Sequence, residues 1–72
     1  MKKSDFKYMK EAIVADLALL LSKDLNLNIE DSLSRIYNSE TYTKLNDPKT
    51  GLFFQSSGYV YSFLKDELSI IS

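Results

Sequence analysis

From Phe6 onward, apolar residues recur every three or four positions. Phe6, Met9, Ile13, Leu17 and Leu20 fall on one line when successive residues are turned by about 100°. The pattern predicts a helix running from Ser4 or Asp5, either of which has an N-capping side chain, to about Leu25. The stripe is wide. Tyr8, Ala12 and Leu19 extend it on one flank, Val14 and Leu21 on the other, and the polar strip shrinks to Lys7, Glu11, Ser22 and their neighbours. A surface helix of a small domain needs an apolar arc of about 100°, and this arc is about twice that. Such a helix is either the centre of its domain or part of an interface.

Asn26 suits the left-handed residue that stops this helix, and Asn28 suits the cap of the next. Glu30 and Asp31 then occupy a first turn, where negative charge complements the helix dipole. Ile29, Leu33, Ile36 and Tyr37 make the apolar face of this second helix, and Asp31 and Arg35 stand at the i,i+4 spacing of an ion pair. Ser39 is placed to cap a further short turn through Leu45, with Tyr42 and Leu45 inward. Asp47-Pro48-Lys49-Thr50-Gly51 is a strong turn signal: proline presets φ, Asp47 accepts backbone N–H groups and Gly51 supplies a positive φ. The same signal closes tight hairpins, so a minimal β-hairpin between Lys44–Asp47 and Gly51–Phe54 is left open. Otherwise Leu52, Phe53 and Phe54 run back against the first helix. Ser56 or Ser57 caps a last helix whose stripe is Val60, Phe63, Leu64, Leu68 and Ile71, with Tyr61, Lys65, Asp66 and Ser69 on the wet face.

Composition narrows the chemistry. The 72 residues suffice for one domain, residues 1–72, with no repeat or linker. A chain this short buries only about 60% of its unfolded surface, and with no cysteine it has neither a disulfide nor a thiolate metal site to help. Histidine is absent too, which removes the commonest general base and metal ligand. No cofactor is expected. Nine basic residues against ten acidic ones, a net charge of −1, give no field that would draw nucleic acid or an anionic membrane. The longest apolar run, Leu17 to Leu21, is far short of a membrane span of about 20 residues. Asp5, Glu11 and Asp16 interrupt any signal-peptide pattern, so a cytoplasmic protein is expected.

Five candidate constellations each have a plainer role beside the chemical one. Asp16 is the one charge inside the apolar arc of the first helix; a carboxylate raised in pKa for acid–base work is one reading, and a structural partner of Arg35, a lysine or a tyrosine hydroxyl is the favoured one. Lys49-Thr50-Gly51 and Ser62-Phe63-Leu64-Lys65 imitate two motifs of penicillin-recognising serine enzymes, but in the wrong order, in too short a chain and without the third motif. Gln55-Ser56-Ser57-Gly58 is a helix start, for which capping suffices. Lys2, Lys3, Lys7 and Lys10 could touch phosphates, yet no recognition helix follows them. The tyrosines Tyr8, Tyr37, Tyr42, Tyr59 and Tyr61 divide between core and interface, with Tyr8 and Tyr61 as interface candidates.

The pattern Tyr37-Asn38-Ser39-Glu40-Thr41-Tyr42, Leu45, Asp47, Thr50-Gly51-Leu52, Gln55-Ser56-Ser57, Tyr59-Val60-Tyr61, Leu64 and Glu67-Leu68 resembles a group of short bacterial proteins of unassigned function. It covers roughly the second half of the chain; the first helix matches only in being apolar. Some members of that group are encoded near candidate ADP-ribosyltransferase-like toxins, so the resemblance implies an antitoxin or accessory role. It brings no catalytic or binding residues with it.

The expectation is therefore an all-α bundle of three to four short helices, without enzymatic activity, that associates with itself as a dimer or with a protein partner. The interaction candidates are Tyr8, Ala12, Val14, Leu19, Leu21 and Tyr61, with Asp16 and Arg35 as structural polar residues. A small nucleic-acid-binding regulator using the N-terminal lysines is the alternative.

Overall fold

The computed structural model describes residues 3–70, and the side chains of residues 5–70. The expectations for Lys2 and Ile71, and for the side chains of Lys3 and Ser4, lie outside these. Four α-helices follow one another: α1 (Lys3–Leu25), α2 (Ile29–Tyr37), α3 (Glu40–Leu45) and α4 (Ser57–Leu68). Two 3-10 turns, Pro48–Thr50 and Leu52–Phe54, stand between α3 and α4. At about 1.5 Å per residue α1 is about 34 Å long, and it sets the long axis of a body measuring 36 × 20 × 19 Å.

Helix α1 is already running at Lys3, so Asp5 lies in its first turn rather than before it. Its end follows the expected pattern. Asn26 takes a φ of 54°, the Leu27 N–H donates to the Ser22 carbonyl at 3.1 Å, and the Ser22 hydroxyl donates to the Leu27 carbonyl. Asn28 then caps α2, its side-chain oxygen accepting the Asp31 N–H at 2.7 Å. Ser39 caps α3 through the Tyr42 N–H at 3.0 Å, and Ser56 caps α4 through the Tyr59 N–H at 3.1 Å. The fourth helix stops at Leu68, one turn short of its predicted apolar row, because Ser69 adopts a left-handed φ of 56° and the Ile70 N–H closes back on the Lys65 carbonyl at 3.0 Å.

The Asp47–Gly51 turn closes no hairpin, and no strand occurs among the described residues. Its polar groups are spent on tightening the chain. The Asp47 carboxylate accepts the Lys49 N–H at 3.0 Å, and the Thr50 hydroxyl donates toward the Asp47 and Lys44 carbonyls at 2.9 and 2.5 Å. Gly51, at a φ of 72°, then launches the second 3-10 turn. A strand would send Leu52 and Phe53 to opposite faces; the 3-10 turn buries both. Phe53 meets Phe6 of α1 edge to face at 4.7 Å, so this segment does return to α1.

One link between helices is invisible to local pattern. Glu67, near the end of α4, accepts the Glu40 N–H at 2.7 Å, the Thr41 N–H at 2.8 Å and the Thr41 hydroxyl at 2.7 Å. Together with Ser39, it satisfies three of the donors that every helix start leaves open. Desolvation works against the charge on Glu67. The Glu40 and Thr41 donors and the charge of Lys44 outweigh it and hold the carboxyl below its ordinary range.

Candidate interaction surface

The buried row of α1 is Ile13, Val14, Leu17, Ala18 and Leu21. It is rotated from the predicted stripe, in which Phe6, Met9 and Leu20 are only partly buried against the core. The neighbours of α1 explain the rotation. Helix α2, joined through only Leu25–Ile29, lies along the Val14–Ala18 side. Helix α4 lies on the other side, where the Ser57 hydroxyl donates to the Asp16 carboxylate at 2.6 Å and the Tyr61 hydroxyl to the Asp24 carboxylate at 2.7 Å. A third side of α1 is left open.

This arrangement divides the six predicted interaction residues. Val14, Leu21 and Tyr61 are 5%, 0% and 6% exposed and belong to the core, correcting their assignment to an interface. For Val14 and Leu21 the reason is that the flank they form is the one α2 and the core occupy. For Tyr61 it is that Asp24 accepts its hydroxyl, so a phenol ranked as wet-facing turns inward while Phe63 turns out. Burial first, then the hydrogen bond and charge of Asp24, push the Tyr61 phenol well above its ordinary pKa. The remaining three stay open: Tyr8 is 76% and Leu19 62% exposed, and Ala12 is exposed between them.

The structural polar residues also move. Asp16 is exposed rather than buried in the apolar arc, and its partner is the Ser57 hydroxyl at the first residue of α4, not Arg35. Arg35 is exposed in the last turn of α2, where a cation suits the helix dipole.

Ala15, also exposed, completes a row of Tyr8, Ala12, Ala15 and Leu19 along the open side of α1. A groove of about 560 Å³ runs beside this row, lined by Val14, Ala15, Ala18 and Leu19 of α1, by Ile29, Leu33 and Tyr37 of α2, and by Tyr42 of α3, with Lys10 and Glu11 also on its wall. The groove has a simple origin. The buried side of α2 is Ser32 and Ile36, so Ile29 and Tyr37, predicted as inward, stand on its rim. The apolar arcs of α1 and α2 both extend past their mutual contact on the same side. Tyr37 and Tyr42 meet edge to face at 5.1 Å in its wall. Ala15 was not among the predicted interaction residues; its regular spacing from Tyr8 and Leu19 was the available signal. A second exposed aromatic group, Phe54 and the edge-to-face pair Tyr59–Phe63 at 5.1 Å, lies on the second 3-10 turn and α4.

Among the described residues nothing assembles the other constellations. The Ser62 hydroxyl donates to the Tyr59 carbonyl of its own helix at 2.6 Å, and the Lys65 ammonium lies 5.9 Å from the Tyr61 ring centre. Lys10 donates to the Asn46 side chain at 2.6 Å and lies 5.4 Å from the centre of the Phe6 ring. Among the described residues no cluster of acidic side chains is placed to hold a metal ion, and no helix is long and apolar enough to cross a membrane. Comparison of the chain with protein-family models, with characterised proteins and with solved structures finds no match.

Proposed function

We propose that this protein is a non-enzymatic protein–protein interaction module that works in the cytoplasm through the open side of α1 and the adjoining groove. The observation that supports this reading is the exposure of Tyr8 and Leu19 in line with Ala12 and Ala15, beside a groove walled by Ile29, Leu33 and Tyr37. Contiguous apolar patches of this kind are costly to leave in water and mark association sites. Tyrosine at such a site brings large area with a hydroxyl that tolerates a wet rim. An antitoxin-like or accessory role is a finer version of the proposal and rests on the resemblance in the second half of the chain alone. The nucleic-acid alternative is weakened by Lys10, whose ammonium is engaged with Asn46 and Phe6.

The test is a Tyr8→Ser/Leu19→Ser double variant. Both positions are exposed, so the melting midpoint of the isolated chain should shift little. At a concentration where the chain is monomeric, binding of a hydrophobic dye to the free face should fall several-fold, and at higher concentration self-association or capture of the product of the adjacent gene should fall as well. A wild-type chain that binds no dye and associates with nothing overturns the reading. A salt-dependent shift of random DNA by the wild type would favour the alternative.

A further inference from the structure

We infer that the occupant of the open side of α1 is a second copy of the chain, packed antiparallel about a two-fold axis crossing the helix between Ala12 and Ala15. This rests on the interaction-module reading and names its partner. Tyr8, Ala12, Ala15 and Leu19 are spaced by four, three and four residues, the spacing that keeps a line of contacts continuous between two helices. Their order, large, small, small, large, is the same read from either end. Turned end for end, Tyr8 meets Leu19 of the second copy and Ala12 meets its Ala15. The two alanines allow the helix axes to approach to about 8 Å at the centre. The large side chains, 76% and 62% exposed in the single chain, then close the two ends. One self-complementary patch serves both copies, as a two-fold interface requires.

Charge selects the antiparallel direction. At about 100° per residue, Glu11 flanks the row on one side and Asp16 on the other. In a parallel pair, residues five apart on opposite flanks meet across the seam. Glu11 of each copy would then face Asp16 of the other, a like-charge contact made twice. In the antiparallel pair each flank faces itself. Glu11 comes opposite the alanines at 15 and 18, and Asp5 of one copy comes level with Lys23 of the other, an opposite-charge contact made twice. The helix dipoles are also opposed rather than aligned.

The chain contains no cysteine, so engineered cysteines report this geometry without interference. Sedimentation equilibrium of the wild type at micromolar concentration should give twice the 8.3 kDa chain mass. Ala15→Glu, at an exposed position, should give the monomer with its helical circular dichroism unchanged. Under mild oxidation, Tyr8→Cys mixed with Leu19→Cys should form the mixed disulfide. Tyr8→Cys alone should not, because the antiparallel axis separates the two copies of residue 8 by about 16 Å along the helix, beyond the reach of a disulfide, about 7 Å between Cα atoms. Efficient cross-linking of Tyr8→Cys to itself, or a dimer unaffected by Ala15→Glu, overturns the inference. So does a strictly monomeric wild type. If that monomer binds hydrophobic dye in a way that Ala15→Glu abolishes, only the choice of partner has failed; if it binds none, the interaction-module reading fails as well.

Discussion

Two sides of α1 share one apolar arc and have opposite fates. Ile13, Val14, Leu17, Ala18 and Leu21 are buried, whereas Tyr8, Ala12, Ala15 and Leu19 stand in solvent. Hydropathy favours the first side, which carries isoleucine, valine and two leucines against one leucine, two alanines and a tyrosine, yet both belong to one continuous apolar arc. Where the short helices are tied completes the separation. The tight connection after Leu25 sends α2 along one side, and the Asp16–Ser57 and Asp24–Tyr61 hydrogen bonds fix α4 on another. Three short elements cannot surround a helix of 23 residues, and the side left over is the one with a regular, self-matching row. An apolar arc therefore reports a need for burial, and its most hydrophobic part together with the polar anchors beside it marks the face that the same chain covers.

The largest test of this contrast compares two leucines two residues apart. Leu17 is fully buried, and Leu17→Ala should cost about 2–5 kcal/mol, enough to leave a domain this small largely unfolded. Leu19→Ala, measured at a concentration where the chain is monomeric, should change stability by no more than about 0.5 kcal/mol. Urea titrations of both variants followed by circular dichroism make the comparison. Equal losses would mean that the outer side is covered within the single chain. Gly51 comes next, because its φ of 72° returns Leu52 and Phe53 to the covered side. An added Cβ there meets nothing within 4 Å, so the cost of a side chain is torsional alone. Gly51→Val should lose roughly 1–2 kcal/mol and Gly51→Asn markedly less, since asparagine tolerates the left-handed region. Equal midpoints for the two variants would remove the positive φ from the account.

Glu67 gives a smaller effect with a pH signature. Its carboxylate holds the start of α3 against the end of α4, and Glu67→Gln should cost about 1 kcal/mol at neutral pH, as loss of a helix cap does. The folded-state pKa lies below the ordinary 4.5. Its contribution is therefore complete above that value and is lost as pH falls through the folded-state pKa. The wild type and Glu67→Gln should thus converge in melting temperature under acid conditions and diverge toward neutrality. A constant difference across this range would mean that the charge of Glu67 contributes nothing. The open side of α1 should be indifferent to this change, so dye binding by Glu67→Gln should match that of the wild type while the chain stays folded.

The parts of this structure that were legible in the sequence are those decided within a few residues. Asn26, Asn28, Ser39, Ser56 and Gly51 each act on backbone groups within four positions, and each sits where its chemistry required. The all-α class followed from the same signals. The rotation of α1 was not legible, because it is set by Ser57 and Tyr61, which lie 41 and 37 residues from the aspartates they bond. Tyr61 was misplaced for the same reason: hydropathy ranks phenylalanine above tyrosine, and only a distant acceptor for the hydroxyl reverses the order. Of the candidate surface, Tyr8, Ala12 and Leu19 could be read from the arc. Its division from Val14 and Leu21 needed the neighbours. Ile29 and Tyr37 were read as inward because they are apolar, whereas the buried side of α2 holds Ser32, a polar residue that hydropathy does not mark, beside Ile36.

Ser32 supplies the finest test of the contact between α1 and α2. It is fully buried, and among the buried side-chain polar atoms its hydroxyl has no hydrogen-bond partner. Its own N–H donates to the Asn28 carbonyl at 3.1 Å, so the backbone is satisfied and only the side chain is left over. A buried hydroxyl without a partner carries its desolvation cost uncompensated, about 1–3 kcal/mol. Alanine removes that cost and is the better helix former by a few tenths of a kcal/mol, while the lost oxygen leaves a gap smaller than a methyl group. Ser32→Ala should therefore stabilise the chain, by up to about 1 kcal/mol once lost packing is subtracted. A rise in the urea midpoint with unchanged slope is the expected result. A fall would mean that the hydroxyl is hydrogen-bonded in solution, either to a backbone carbonyl one turn back in α2 or to water that reaches it between α2 and α1. With water as the partner the seam would be wet, the groove would extend down into it, and the sharp division between the two sides of α1 would give way to one continuous, partly hydrated face.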